Sequence, residues 1–166
     1  MILGMSTSTF TTVHVIISLI GIFSGVVVLL GWLGGKSSGG WTALFLATTV
    51  ATSATGFLFP VDHFLPSHGV GIISLVVLLV AILARYAFHL AGAWRWIYVV
   101  GAMVALYLNV FVLIVQSFQK VAALKAMAPT QSEPPFLVTQ LVVMALFVVL
   151  GIVAAKKFRN QPVRTA

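Results

Sequence analysis

Length, composition and charge place this chain among membrane proteins. Of its 166 residues, 61% are hydrophobic and 7% are charged, whereas about 25% of the residues in a typical soluble domain are charged. A chain of this size cannot bury so much apolar surface in water, because small domains keep a high ratio of surface to volume. The net charge of +7 does not indicate nucleic-acid binding, since the Lys and Arg residues are scattered around the ends of apolar runs. Cysteine is absent, which excludes disulfides and thiolate metal sites.

Five apolar segments are long enough to cross a membrane, which takes roughly 20 helical residues. They are residues 12–33, 41–59, 67–86, 96–118 and 136–155. Flexible or proline-bounded stretches separate several of them, namely GGKSSGG at 34–40, PVDHFLP at 60–66 and APTQSEPP at 128–135. We therefore predict an all-α integral membrane protein in which residues 1–166 form a single bundle of five transmembrane helices. Ser67, which follows Pro66, is the expected N-cap of the third helix.

The distribution of Lys and Arg predicts the orientation of these helices. Five spans place the two termini on opposite sides of the membrane. The side with the C-terminus collects most of the basic residues: Lys36, Arg85, Arg95, Lys156, Lys157, Arg159 and Arg164. Because positive charge is retained in the cytoplasm, we expect the N-terminus outside and the C-terminus in the cytoplasm. All four tryptophans then fall at the cytoplasmic interface, where such rings are favoured.

Small and weakly polar residues mark the faces on which the helices are expected to pack. On the first helix, Gly21 and Gly25 share a face and permit close approach of a neighbour. The full sets are His14, Ser18, Gly21 and Gly25 on the first helix, Thr48, Thr52, Thr55 and Gly56 on the second, and Tyr98, Ala102, Ala105, Asn109 and Gln116 on the fourth. Gln140 on the last helix is expected to join them.

The fourth helix has no breaker before Pro129. This predicts about 33 helical residues from Trp96, or roughly 50 Å, against a hydrocarbon core of about 30 Å. The excess either projects from the membrane or bends into the interface, with Lys120 and Lys125 towards water.

The stretch FLFPVDHFLPSHGVG at 57–71 holds an unusual concentration of ionisable side chains. The predicted topology places Asp62 and His63 in an outer loop, His68 in the first turn of the third helix, and His14 near the outer end of the first. Imidazole and carboxylate groups bind zinc and copper, so His14, Asp62, His63 and His68 form a candidate divalent-metal site. His14 and His68 also lie at similar predicted depth, as the axial pair of a haem b would.

Other interpretations of this stretch stay open. It can be a proline-stiffened turn without a cofactor, in which Asp62 caps backbone amides and His63 faces water. A polar translocation path normally has an ionisable residue near the midplane, where this sequence offers Asn109 and threonines. His89, in a cytoplasmic loop, is expected to be solvated surface.

No catalytic motif is recognisable in the sequence: it has neither a nucleophile with its base nor a phosphate-binding loop. We therefore expect a non-enzymatic accessory, assembly or interaction subunit. It would contact the lipid bilayer and either a membrane-protein partner or a second copy of itself. A membrane redox protein that binds haem b or a transition metal through His14 and His68 is the alternative.

Three segments resemble parts of small uncharacterised bacterial inner-membrane proteins. They are TSATGFLFP at 52–60, AWRWIYVVGAMVALYLNVF at 93–111 and APTQSEPPF at 128–136. The resemblance covers most of the chain and implies a multi-pass protein of the bacterial inner (plasma) membrane. It implies no activity and no site residues.

Overall fold

The computed structural model describes residues 1–159, so Arg164 of the predicted cytoplasmic cluster lies outside the described residues. The helices are α1 (Thr7–Leu33), α2 (Gly39–Gly56), α3 (Pro66–Ile82), α4 (Trp94–Lys120), α5 (Ala122–Met127) and α6 (Pro134–Arg159). A π-helical turn, Leu83–Ala87, continues α3. The described part of the chain contains no β-strand beyond one isolated bridge. The all-α prediction is confirmed.

Four of these helices are long and apolar enough to cross a membrane: Thr7–Leu33, Pro66–Ala87, Trp94–Lys120 and Pro134–Phe158. The chain is therefore a multi-pass membrane protein. α2 is not among the four, because its 18 residues are interrupted by threonines. Its length of about 27 Å at 1.5 Å per residue is nevertheless close to the thickness of the hydrocarbon core. Five spans and the orientation of the termini stay predictions.

α4 is the central helix of the bundle and contacts every other helix described. Tyr98, Ala102, Ala105 and Asn109 are buried on it, as the sequence predicts. Three of these four side chains are small or moderate in size, which lets the neighbouring helices approach where lipid provides no hydrophobic driving force. α1 packs mainly on α2, α3 on both α2 and α4, and α6 on α4.

Gly25 brings α1 into closest contact with the core. A Cβ at this position would lie 2.6 Å from Leu106 Cδ1 and 2.9 Å from the ring of Phe45. Gly21, one turn earlier, faces the amide nitrogen of Asn109, which would lie 3.2 Å from a Cβ. The predicted glycine face of α1 is confirmed, since a Cβ at Gly25 would overlap its neighbours and a Cβ at Gly21 would make unusually tight contacts.

The prediction of one long fourth helix is wrong. α4 ends at Lys120, Val121 adopts an extended backbone with φ −85° and ψ 115°, and α5 then begins. The break lets Leu124 pack against the apolar cluster of Phe118, Ala128 and Phe136. This contact buries apolar surface that a projecting helix would leave in water. The chain bends, and Lys120 is exposed.

Trp32, in the last turn of α1, is buried between helices and only 2% exposed, while its predicted depth at the membrane interface stays a prediction. Its ring packs edge-on against Tyr98 and Phe158, with both centroid distances 5.5 Å. α1, α4 and α6 converge at this end of the bundle, and the large ring fills the space between them. Trp41 and Trp96, by contrast, are 40% and 52% exposed.

Candidate functional site

The residues of the predicted metal and haem sites all lie at one end of the bundle, where α1 begins and α2 ends; we call it the N-terminal end. His14 is in α1, and His68 is in the first turn of α3. Asp62 and His63 belong to the α2–α3 loop, which we define as residues 57–65. Both of these loop side chains are exposed, whereas His14 is half-buried and His68 is buried. The predicted set therefore divides into two internal histidines and two surface residues.

The imidazole of His14 is held in one tautomer by Thr55 of α2. His14 Nδ1 lies 2.8 Å from Thr55 Oγ1. The Thr55 hydroxyl donates its hydrogen to the carbonyl of Ala51 at 2.6 Å. Nδ1 must therefore donate to Thr55, which leaves Nε2 of the neutral ring with a lone pair. Metal-binding histidines have this arrangement, with one nitrogen free and the other held by a hydrogen-bond partner.

His68 has the opposite tautomer. The backbone N–H of Leu65 donates to His68 Nδ1 at 3.1 Å, so the hydrogen of the neutral ring is on Nε2. The backbone N–H of His68 donates in return to the carbonyl of Leu65 at 2.9 Å. This reciprocal pair closes the first turn of α3 in the manner of a capping box.

The expectation that Ser67 caps α3 is wrong. Leu65 is the N-cap, and Pro66 occupies the first helical position. Proline is favoured there because its fixed φ suits a helix and its missing N–H would have no partner in that turn. The histidine three residues after the N-cap accepts the N–H of the N-cap residue, a role that Glu or Gln has in a capping box.

Aromatic packing fixes His68 further. Its ring stacks on Phe57 at a centroid distance of 5.5 Å and lies 5.3 Å from Phe64. Phe57 itself fits over Gly71, where a Cβ would lie 3.0 Å from the ring. His68 therefore anchors the α2–α3 loop to α3. The contacts of His14, with Thr55 and an edge-on Phe59, are a different set.

These contacts bear on the predicted cofactor sites. For both histidines to bind haem iron through Nε2, the Nε2 atom of each ring must carry the lone pair and Nδ1 the hydrogen. His14 fits that requirement, but His68 fits only if it gives up its bond to Leu65. Within residues 1–159, no three His, Asp or Glu side chains come together in a group that could hold a metal ion. The predicted four-ligand set is not brought together here, and a cofactor stays a prediction.

A second polar region lies deeper in the bundle, around Gly21. The amide nitrogen of Asn109 and the hydroxyl of Thr48 would each lie 3.2 Å from a Cβ there. The Thr48 hydroxyl donates to its own helix, and the Asn109 amide nitrogen is buried without a hydrogen-bond partner in the described residues. One turn further on, Gly25 is packed directly against Leu106. This apolar contact separates the polar region from a further buried pair of hydroxyls, on Thr42 and Tyr98.

The exposed part of the α2–α3 loop combines ionisable and apolar side chains. Phe64 is 67% exposed and Val61 is 43% exposed, and they flank the exposed Asp62 and His63. Sequence reasoning identified the two ionisable residues and missed the two apolar ones. Their exposure depends on the loop conformation, which hydrophobicity alone does not reveal.

Comparison of the chain with protein-family models, with curated proteins and with solved structures gave no match.

Proposed function

We propose that this chain is a non-enzymatic protein of the bacterial inner membrane that serves as an accessory, assembly or interaction subunit, and that its α2–α3 loop docks the partner. The observation that carries the proposal is the exposed group of Val61, Asp62, His63 and Phe64. An aromatic anchor beside polar groups is the composition of a protein interface, where large aromatic side chains carry much of the binding energy.

The loop is also preorganised for docking. Pro60 lies within it and Pro66 follows it directly, and each proline restricts its own backbone and that of the preceding residue. The bond from Leu65 to His68 and the stacking of Phe57 on that ring hold the loop against α3. A loop that is already ordered loses less conformational entropy on binding, which favours affinity.

The partner is another membrane protein or a second copy of this chain, and the predicted orientation places the loop in the periplasm. Aspartate and histidine at the docking surface suit a partner with a cationic or hydrogen-bonding group, while Phe64 suits an apolar pocket. The expected interface is small, because a loop of this size presents few side chains.

Variants of the loop test this function. Phe64→Ser and Asp62→Asn should each reduce the amount of partner, or of a second copy, that copurifies after mild crosslinking in membranes. His89→Asn is the matched control, because His89 is exposed in another loop with φ +48° and asparagine tolerates that conformation. Equal recovery from all three variants would refute docking through this loop.

Binding of a transition metal or haem with His14 as a ligand is a second candidate function. The free lone pair on His14 Nε2, set by the hydrogen bond to Thr55, favours it. His14→Ala should then abolish bound metal or the Soret absorbance, and Thr55→Val should weaken binding roughly 10- to 100-fold as loss of a supporting partner does. His68→Ala should leave the cofactor in place. Purified wild-type protein with neither metal nor haem at stoichiometric level would refute this candidate.

A further inference from the structure

α4 and α6 enclose an apolar groove of about 700 Å³ that is separate from the α2–α3 loop. Its walls run from Trp96 to Leu108 on α4 and from Met144 to Lys156 on α6. Each wall is twelve residue steps long, or about 18 Å at 1.5 Å per residue. One leaflet of the hydrocarbon core is about 15 Å thick, half of about 30 Å. The groove therefore extends from one membrane interface to about the midplane.

The two ends of the groove differ in chemistry. Trp96 and Lys156 lie at the interfacial end, where Trp96 is 52% exposed and Lys156 is exposed. The lining between that end and the midplane is almost wholly apolar, and Gly151 leaves it without a side chain beside Met103. These features match a phospholipid: the cation and the interfacial ring lie where its headgroup would be, and the apolar groove has the length of one leaflet, as an acyl chain does.

Charge selects the class of lipid. The neighbouring Lys157 donates to the carbonyl of Leu33 at 2.6 Å, whereas Lys156 lines the groove. The chain has two side-chain carboxylates, Asp62 and Glu133, and both lie at the opposite, N-terminal end of the bundle. Neither is placed to neutralise Lys156, so an anionic group from outside the chain suits it.

We infer that this groove is a binding site for an anionic phospholipid, with an acyl chain along the α4–α6 trough and the phosphate at Lys156. A transmembrane helix of a partner fits less well, because it would cross both leaflets whereas the groove ends at about the midplane. Basic pockets between membrane helices bind anionic headgroups, and each Lys near the surface contributes about fivefold in affinity.

Native mass spectrometry of the delipidated full-length protein tests the site. Phosphatidylglycerol and phosphatidylcholine with identical acyl chains are titrated separately, and phosphatidylglycerol should bind about fivefold more tightly. Lys156→Gln should remove this preference and leave phosphatidylcholine binding unchanged. Lys125→Gln, the same charge change on α5 at the other end, should preserve the preference. Gly151→Leu, which fills the trough, should weaken binding of both lipids.

Equal affinity for the two lipids, or equal effects of the two lysine variants, would overturn the inference. A photo-crosslinker at Val104 in native membranes adds a further test, since it should capture lipid, and capture of a protein would identify the groove as a helix-docking surface instead. The groove and the α2–α3 loop lie at different places, so failure here leaves the docking proposal intact.

Discussion

Replacement of Gly25 by alanine tests the packing of α1 on the core. The added Cβ would lie 2.6 Å from Leu106 Cδ1 and 2.9 Å from the Phe45 ring. Both side chains are 1% exposed, so neither has open space into which to move. Overpacking of this kind costs about 1–3 kcal/mol, whereas the change from glycine to alanine in a helix interior itself gains about 1 kcal/mol.

Gly151→Ala is the matched control, because its Cβ would meet Met103 at an ordinary 3.9 Å and it gains the same helix propensity. The two variants should therefore differ in free energy of unfolding by about 1–3 kcal/mol, with Gly25→Ala the less stable. Unfolding in mixed detergent and SDS micelles, followed by circular dichroism, measures this difference. Equal stability of the two variants would refute the close contact of α1 with Phe45 and Leu106.

The remaining predictions concern the two ends of the bundle. His68→Ala removes an acceptor at the start of α3 and should lower the free energy of unfolding by about 1–2 kcal/mol, while His89→Asn on the surface should change it by less than about 0.5 kcal/mol; equal losses would contradict the capping role. Although desolvation acts to raise the pKa of Glu133, hydrogen bonds from the preceding loop lower it overall. A carboxyl whose pKa is lower in the folded state than in the unfolded state stabilises the folded state when the pH is above the unfolded-state pKa. This stabilisation is lost as the pH falls through the folded-state pKa. Wild-type protein should therefore lose stability relative to Glu133→Gln below about pH 4.5, the ordinary pKa of the group, and parallel pH profiles would contradict this. A reporter active only in the cytoplasm should be active when fused after Ala166 and silent after Phe64, and the reverse pattern would overturn the predicted orientation.

The packing faces could be predicted because they depend on local spacing. Gly21 and Gly25 recur at helical intervals, and the buried face of α4 shows the same small-residue periodicity, so both follow from sequence position. The end of α4 could not be predicted in this way. Val121 is no helix breaker, and its extended backbone goes with the packing of Leu124 on the cluster of Phe118, Ala128 and Phe136, which is a tertiary contact.

The sequence predicted which histidines of the candidate site lie at the same end of the bundle, but it did not predict their tautomers. Topology alone brings His14 and His68 to one end of the bundle. Their opposite tautomers depend on Thr55 and on the backbone of Leu65, whose partners only the fold reveals. Thr55 carried a usable signal, because it lies on the face of α2 that the sequence predicts to pack against other helices.

Photo-crosslinking from position 64 in native membranes tests the docking function most directly. A photoreactive amino acid replaces Phe64, and position 76 in α3, where Val76 is 57% exposed, serves as the lipid-facing control. We predict one discrete protein product from position 64, strongly reduced by Asp62→Asn, and lipid products from position 76. Lipid products from both positions, or a protein product that Asp62→Asn leaves unchanged, would contradict docking through the α2–α3 loop.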